Sequence, residues 1–317
     1  MNTVLVTGGC GLIGKHVCSG LLKKGNAVIA VDTEECHYND EKPNYSFIAA
    51  AQNDKNAYAE ILDNNQIDDI VHIACTVDND FGHIITDNEM AIAKSCDKFF
   101  YRYAFEKNVK HFVMVSTYQV YDFPKTREPI REDDALKPIT NYANLKLNSE
   151  KAFADELKKN KDVIAAIVRP AQAYTKEYYE NLVSKITDAK SNTCFVYGTG
   201  QYGFQMCCVH NLVDFILCFI KNADDSSYTG VYNVSDKLLV TASDIISFMR
   251  KNHHLGVVVQ RNQGKDAILS IFKKVGSNDE KTNYRYLDLS TITNNNMLDN
   301  NKAAKLVSFR WDINNTK

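Results

Sequence analysis

The chain has 317 residues, of which 44% are hydrophobic, and a formal net charge of -2. That length suits one large α/β unit or two closely joined domains, and that hydrophobic content excludes wholesale disorder. The near-neutral charge gives no broad basic footprint for nucleic acid. The longest apolar stretch, Leu212 to Ile220, contains Asp214 and is too short to span a bilayer, so no membrane partner is expected. Met1 leads straight into the first apolar run, so no signal peptide is expected. The nine cysteines are scattered and form no C-x-x-C pair. No metal site is therefore expected, and reduced thiols in a cytoplasmic protein are the default expectation.

Thr3 to Thr7 is rich in β-branched residues and predicts a strand. Gly8, Gly9, Gly11 and Gly14 follow, in the overlapping spacings Gly9-x-Gly11-x-x-Gly14 and Gly8-x-x-Gly11-x-x-Gly14. A helix beginning near Gly11, with Leu12 and Ile13 in its first turn, would aim free N–H groups and a positive dipole end at an anion such as a pyrophosphate. Ala27 to Val31 reads as a second strand, ended by Asp32. A carboxylate there can accept hydrogen bonds from both hydroxyls of an adenosine ribose and would repel a phosphate on it, which favours NAD over NADP. The competing reading of Asp32 is a turn or helix cap. Strand, glycine turn, helix, strand and acid in this order point to dinucleotide binding.

Ser46 to Ala49 predicts a short strand and Lys55 to Leu62 a helix. Ile70 to Ala74 is a continuous apolar run interrupted by His72, as in a buried parallel strand. His72 reads as a core or loop-supporting residue rather than a catalyst. Asp87 to Lys107 is helical, with Phe99, Phe100, Tyr103 and Ala104 at core spacing. His111 to Ser116 is a further buried strand. The segment from Phe123 to Pro138, with three prolines and many charges, predicts a surface loop. A helix over Asn141 to Lys158 and a strand over Val163 to Val168 follow, closed by Arg169-Pro170. This alternation predicts a doubly wound, Rossmann-like parallel sheet, with ligands beyond the carboxyl ends of the strands. Thr7, Asp32, Ala74, Ser116 and Thr117 fall along that rim.

Beyond residue 170 the rhythm loosens. Strands are expected near Cys207 to Val209 and Val231 to Val234, and helices near Asn211 to Ile220 and Ala242 to Lys251. The expected organisation is a nucleotide-binding domain over 1–170 and a smaller α/β substrate lobe over 171–317, some of whose segments return to the main sheet. The tail, rich in asparagine near Asn294 to Asn296, is expected to be partly loose.

Tyr142 and Lys146 are spaced i, i+4 and share one face of a helix. A free phenol titrates near ~10, and a nearby ammonium stabilises the phenolate. Such a tyrosine can take a proton from a sugar hydroxyl while hydride leaves the same carbon. A Tyr-x-x-x-Lys also arises as an ordinary surface pair. Here it follows the fifth strand of a nucleotide-binding sheet, which favours the chemical reading. Thr117 can hydrogen-bond the same reacting oxygen or simply close the strand-to-loop turn.

The motifs Thr7-Gly8-Gly9-Cys10-Gly11-Leu12-Ile13-Gly14, Asp32, Val71-His72-Ile73-Ala74, Val115-Ser116-Thr117 with Val120-Tyr121, Tyr142-Ala143-Asn144-Leu145-Lys146 and Arg169-Pro170 occur in one order. Together they resemble the extended short-chain dehydrogenase/reductase superfamily, in its NAD-dependent epimerase/dehydratase branch. The similarity covers about 1–175 and fades toward residue 250. It implies NAD as cofactor, held by Gly8, Gly11, Leu12, Ile13, Gly14, Asp32, Ala74, Tyr142 and Lys146. It implies a nucleoside-diphosphate sugar as substrate, met by Thr76, Thr117 and Gln172. Thr117, Tyr142 and Lys146 would be the catalytic set, and family members often pair as homodimers through two helices per subunit.

The expected activity is epimerisation at C4 through a transient ketone. A C4 dehydrogenase or ketosugar reductase is the alternative, and a non-catalytic NAD-sensing protein a second one. Dehydratases of this family carry Asp-Glu directly after the threonine, where this chain has Tyr118-Gln119, so loss of water from the sugar is not expected. Gln172 stands where the family often has an asparagine. The usual Val-x-Asp reads Val209-His210-Asn211. An aspartate that often approaches the adenine is replaced near Ala51, with Asp54 close by.

Overall fold

The computed structural model describes residues 1–34, 42–75, 85–122, 128–187, 193–261 and 297–317. The first half alternates β1 (Thr3–Thr7), α1 (Leu12–Lys23), β2 (Ala27–Asp32), β3 (Tyr45–Ala49), α2 (Lys55–Asn64), β4 (Asp69–His72), α3 (Asp87–Glu106), β5 (His111–Val115), α4 (Asn141–Leu157) and β6 (Ile164–Pro170). The second half runs β7 (Gln172–Tyr174), α5 (Glu180–Val183), β8 (Cys194–Tyr197), β9 (Gly203–Phe204), β10 (Met206–Cys208), α6 (Val209–Asn222), β11 (Gly230–Val234), β12 (Val240–Thr241), α7 (Ala242–Asn252), β13 (Val258–Arg261) and α8 (Asn301–Ala304).

Seven strands form one sheet in the order β11-β6-β5-β4-β1-β2-β3. Every pairing in it is parallel. The doubly wound sheet expected from the alternation is therefore present, and β11 is the late segment that returns to it. Strands β4 and β5 are buried along their whole length, which explains their unbroken apolar sequences. One face of the sheet packs on α1 and α6, through Val17, Leu21, Leu212 and Phe215. The other packs on α2, α3 and α4 through interlocked rings: Phe112 lies 4.9 Å from Phe153, 5.8 Å from Tyr101 and 5.3 Å from Phe105. Of the four aromatic and small positions predicted as core on α3, Phe100 and Ala104 are buried. Phe99 and Tyr103 instead stack on each other at 5.5 Å on the helix flank, where the Tyr103 hydroxyl reaches Asp63.

A second core lies beyond β6, built from Tyr174, Leu182, Phe195, Phe204, Ile245 and Phe248. Among the described residues its strands pair in twos: β10 with β7, β12 with β9 and β13 with β8. Helix α6 starts at Val209, two residues before the expected Asn211. The cause is distant in sequence. The Asp236 carboxylate accepts from the Cys208 N–H at 2.7 Å and from the Asn211 side chain at 2.8 Å, and so grips the helix start. Asn294 to Asn296 and the start of the proline-rich loop lie outside the described residues.

Arg169 and Glu150 join β6 to α4. The guanidinium donates to Glu150 through Nε at 3.0 Å and Nη2 at 2.7 Å, and both side chains are buried. Ser116 Oγ adds a third donor to that carboxylate, and the Arg169 guanidinium sits 4.8 Å over the Tyr121 ring. Removing one partner of such a pair strands a buried charge, which costs about 3–5 kcal/mol. Glu150→Ala should therefore lose about that much in urea unfolding. Glu150→Gln, which keeps an acceptor oxygen, should lose less.

Candidate active site

The glycine turn is shaped by contacts within the chain. Gly8 takes φ +70°, and its N–H, with that of Gly9, donates to Val31 O at 2.8 and 3.2 Å. A Cβ on Gly14 would lie 1.9 Å from Gly8 O, so no other residue fits there. Gly11 differs. A Cβ there would meet only Gly8 O, at an ordinary 3.5 Å, yet Gly11 faces a cleft of about 390 Å³. Its open side is turned to whatever the cleft holds. No side chain caps α1, so the N–H groups of its first turn, at Leu12 and Ile13, open onto the same cleft.

Asp32 is fixed on both oxygens. Oδ2 accepts from Cys10 N–H at 2.9 Å and Oδ1 from Thr33 N–H at 2.8 Å. It thus braces the turn, as the capping reading expects, and also lines the cleft. Ala74 closes the opposite wall, its N–H within 3.3 Å of Thr7 Oγ1. Thr7 Oγ1 is also 2.7 Å from His72 Nδ1. Burial, helped by the Lys146 charge, pushes His72 down to about 3, so the ring stays neutral and supports the loop.

Thr117, Tyr142 and Lys146 meet in this cleft. Thr117 ends the β5 loop and heads the 3₁₀ turn Tyr118–Val120, where its hydroxyl accepts from Gln119 N–H at 3.3 Å. Helix α4 is capped by Thr140, whose Oγ1 accepts from Ala143 N–H, and this sets Tyr142 and Lys146 on the cleft face. Lys146 is 6% exposed and donates to Val115 O at 3.3 Å. Burial works against its charge, but Tyr142, Cys75, Asp97 and Glu150 more than offset that and raise its pKa above the ordinary ammonium value. Asp97 is itself pushed up to about 6 by burial, with the Ser149 hydroxyl and Lys146 pulling the other way.

The far end of the cleft is lined by Gln119, Gln172, Tyr178 and Asn181. Asn181 Nδ2 donates to Ala173 O at 2.8 Å, while Oδ1 is buried with no partner. Gln172 Oε1 is buried and unpartnered as well. Asn181 and Tyr178 were not foreseen, because they sit around a helix of one turn whose sequence has no amphipathic period. Gln52 also lines the cleft unforeseen. Thr76 lies outside the described residues. Asp54 turns away from the site: it caps α2, accepting from Ala57 N–H at 3.0 Å.

The family model described as the NAD dependent epimerase/dehydratase family matches residues 4–235. The chain belongs to that family. The UDP-glucose 4-epimerase of Lactobacillus helveticus is 30% identical over 158 residues, 48% of this chain and 46% of that protein. The dTDP-D-glucose 4,6-dehydratase of Dictyostelium discoideum is 24% identical over 275 residues, 77% of this chain and 61% of that protein. The matched region thus spans about half the length of these curated relatives. Among solved structures, UDP-glucose 4-epimerase from Bifidobacterium longum in complex with NAD+ and UDP superposes with a TM-score of 0.71 at 18% identity, covering 99% of this chain and 96% of that one. UDP-glucuronic acid 4-epimerase from Bacillus cereus in complex with NAD gives 0.70 at 15% identity, covering 99% and 95%. These likenesses show the shared fold.

The residues present fit the family's NAD. Gly11 leaves clearance, Asp32 is held rigidly beside the turn, and the uncapped start of α1 suits a pyrophosphate. One family feature is displaced. Asn211 stands where the family has an aspartate, and the carboxylate beside it is Asp236, which accepts from Asn211 Nδ2 at 2.8 Å and from Tyr174 OH at 2.6 Å, while Asn211 Nδ2 also donates to Trp311 O at 2.8 Å. The expectation of reduced thiols fails at Cys10, which is disulfide-bonded. Pairing depends on Cα separation and Cβ direction, which cysteine spacing along a sequence does not reveal. Among the described residues, no helix is long and apolar enough to cross a membrane.

Burial pushes Asp236 up to about 7, against the pull of Tyr174 and its other donors. Between the ordinary carboxylate value near ~4 and that value, the folded state keeps a proton that the unfolded chain releases. Asp236 therefore makes stability fall as pH rises through this window, by at most ~1.4 kcal/mol per pH unit. His72 contributes with the opposite sign, from about 3 upward. Unfolding titrations of the wild type and Asp236→Asn across the window isolate the carboxyl. The variant should lose less stability than the wild type, and parallel curves would refute the assignment.

Proposed function

We propose that this protein is an NAD-dependent nucleotide-sugar epimerase, acting at C4 of a nucleoside-diphosphate sugar through a transient ketone. The observation that carries the reading is the convergence of Thr117, Tyr142 and Lys146 on the same cleft as Gly11 and Asp32. Gly8, Gly11, Gly14 and the first turn of α1 would hold the NAD pyrophosphate, Asp32 its adenosine ribose, and Lys146 its nicotinamide ribose. When bound, NAD supplies the hydride acceptor and donor.

Tyr142 takes the proton of the C4 hydroxyl as that carbon is oxidised, and returns it after the sugar has turned over. Lys146 supplies positive charge beside the phenol while the proton is away, and its own charge is secured by Asp97 and Glu150. Thr117 orients the reacting oxygen from the end of β5. The neutral amide of Gln119, where a dehydratase would place an acid, favours epimerisation over loss of water. Gln172 and Asn181 each turn an unpartnered oxygen toward the substrate end, where sugar hydroxyls can donate to them.

Incubation with a panel of nucleotide sugars, with product stereochemistry and reduced cofactor both followed, tests the reading. Interconversion of C4 epimers without accumulation of reduced cofactor is expected. Tyr142→Phe should lower kcat by at least ~10²-fold, the usual contribution of a positioned general acid–base, with NAD affinity retained. Full turnover in that variant would defeat the assignment.

A further inference from the structure

Gln52 carries a buried amide that completes no hydrogen bond in the folded chain. It follows β3, is 7% exposed, and lines the cleft. Neither Oε1 nor Nε2 has a hydrogen-bond partner. The amide lies close enough to Asp97 to lower that carboxyl's pKa, yet neither of its polar atoms completes a hydrogen bond with it. An unsatisfied buried amide is costly, so its retention beside an open cleft points to a partner that arrives from outside.

Its place along the cleft says which partner. Asp32 is tied to the glycine turn through Cys10 N–H. On its other side, Asp32 pairs with Ala49 of β3, and Asp32 O accepts from Ala50 N–H at 2.9 Å. Gln52 comes three residues after Ala49 and so lines the cleft from the β3 side of Asp32. Val31, Ala50 and Tyr58 supply apolar wall there. A dinucleotide with its pyrophosphate at the turn and its ribose at Asp32 extends its base into this end. A carboxamide offers one acceptor and one donor side by side, which match the amino group and the adjacent ring nitrogen of adenine. The Asp97 carboxylate attracts the amide nitrogen and repels its oxygen, which favours Oε1 facing the adenine amino group.

We propose that Gln52 reads the hydrogen-bonding edge of the adenine base, and so takes over at this position the discrimination that Ala51 and Asp54 do not supply. The inference rests on NAD occupying this cleft and is independent of the sugar or the reaction. It gives Gln52→Leu two effects of opposite sign. The apo protein should melt higher, because an orphaned amide has been replaced by an apolar side chain of similar size. Affinity for ADP-ribose should fall roughly tenfold, in keeping with the loss of one base-edge pair.

The test is calorimetric titration of the full chain with ADP-ribose and with its 1,N6-etheno analogue, whose N6 carries no hydrogen. The wild type should prefer ADP-ribose by roughly tenfold, and Gln52→Leu and Gln52→Met should bind both alike. A purely structural role would leave the wild-type preference unchanged in both variants, and that result overturns the proposal. Failure of the wild type to bind ADP-ribose at all would remove the cofactor premise instead.

Discussion

One dry positive charge governs the centre of this molecule. Lys146 is buried on α4 with Tyr142 one turn before it, and a lone ammonium there would shed its proton. The surrounding core is arranged so that it does not. Glu150 and Asp97 both act on it, and Arg169 brings a second buried cation that Glu150 chelates. Two buried cations then face two carboxyl groups, of which Asp97 is pushed up to about 6 and is mainly ionised at neutral pH. His72, the remaining basic group, is held neutral by the same burial and the same lysine. A third cation at that position would leave the cluster unbalanced. The Thr7 hydroxyl next to the ring is compatible with a neutral imidazole.

That balance explains why residues far apart in sequence behave as one unit. Val115 O accepts from Lys146, Ser116 Oγ donates to Glu150, and Thr117 is the next residue on the same strand end. Three consecutive residues leaving β5 thus serve the lysine, its counter-ion and the cleft. Shifting that strand end by one residue would interchange all three roles, because neighbouring side chains point to opposite faces. The ring-packed core of α3, α4 and β5 holds the register.

The parts legible in the sequence are those whose cause is local. Strands β1, β4 and β5 announce themselves as apolar runs because both faces are covered. The glycine turn is visible because Gly8 and Gly14 are demanded by backbone contact alone. Tyr142 and Lys146 are visible because a helix brings i and i+4 together. The second core is hard to read for the opposite reason. Its strand β9 has two residues, and its partner β12 comes 36 residues later by position, Gly203 pairing with Thr241 and Phe204 with Val240. Asp236 and Asn211 illustrate the same limit: one carboxylate holds a helix start from 25 positions away. Gln52 and Asn181 carry no pattern at all, since being unpartnered is a property of the folded surroundings.

The two ends of the cleft differ in kind, and the difference bears on what each can recognise. The turn end carries directed N–H groups and the fixed carboxylate of Asp32, features suited to a phosphate and a ribose. The other end carries amide oxygens, at Gln172 and Asn181, with the Gln119 amide beside them and no carboxylate among the described residues lining it. Unpartnered acceptors in a dry wall penalise any occupant that cannot donate to them, because their own desolvation then goes uncompensated. A hydroxyl-rich ring satisfies them in more than one orientation, whereas a single fixed charge would lock it. An enzyme that inverts a carbinol needs its sugar to rotate between two hydride transfers, and a wall of neutral acceptors permits that rotation where an ion pair would oppose it.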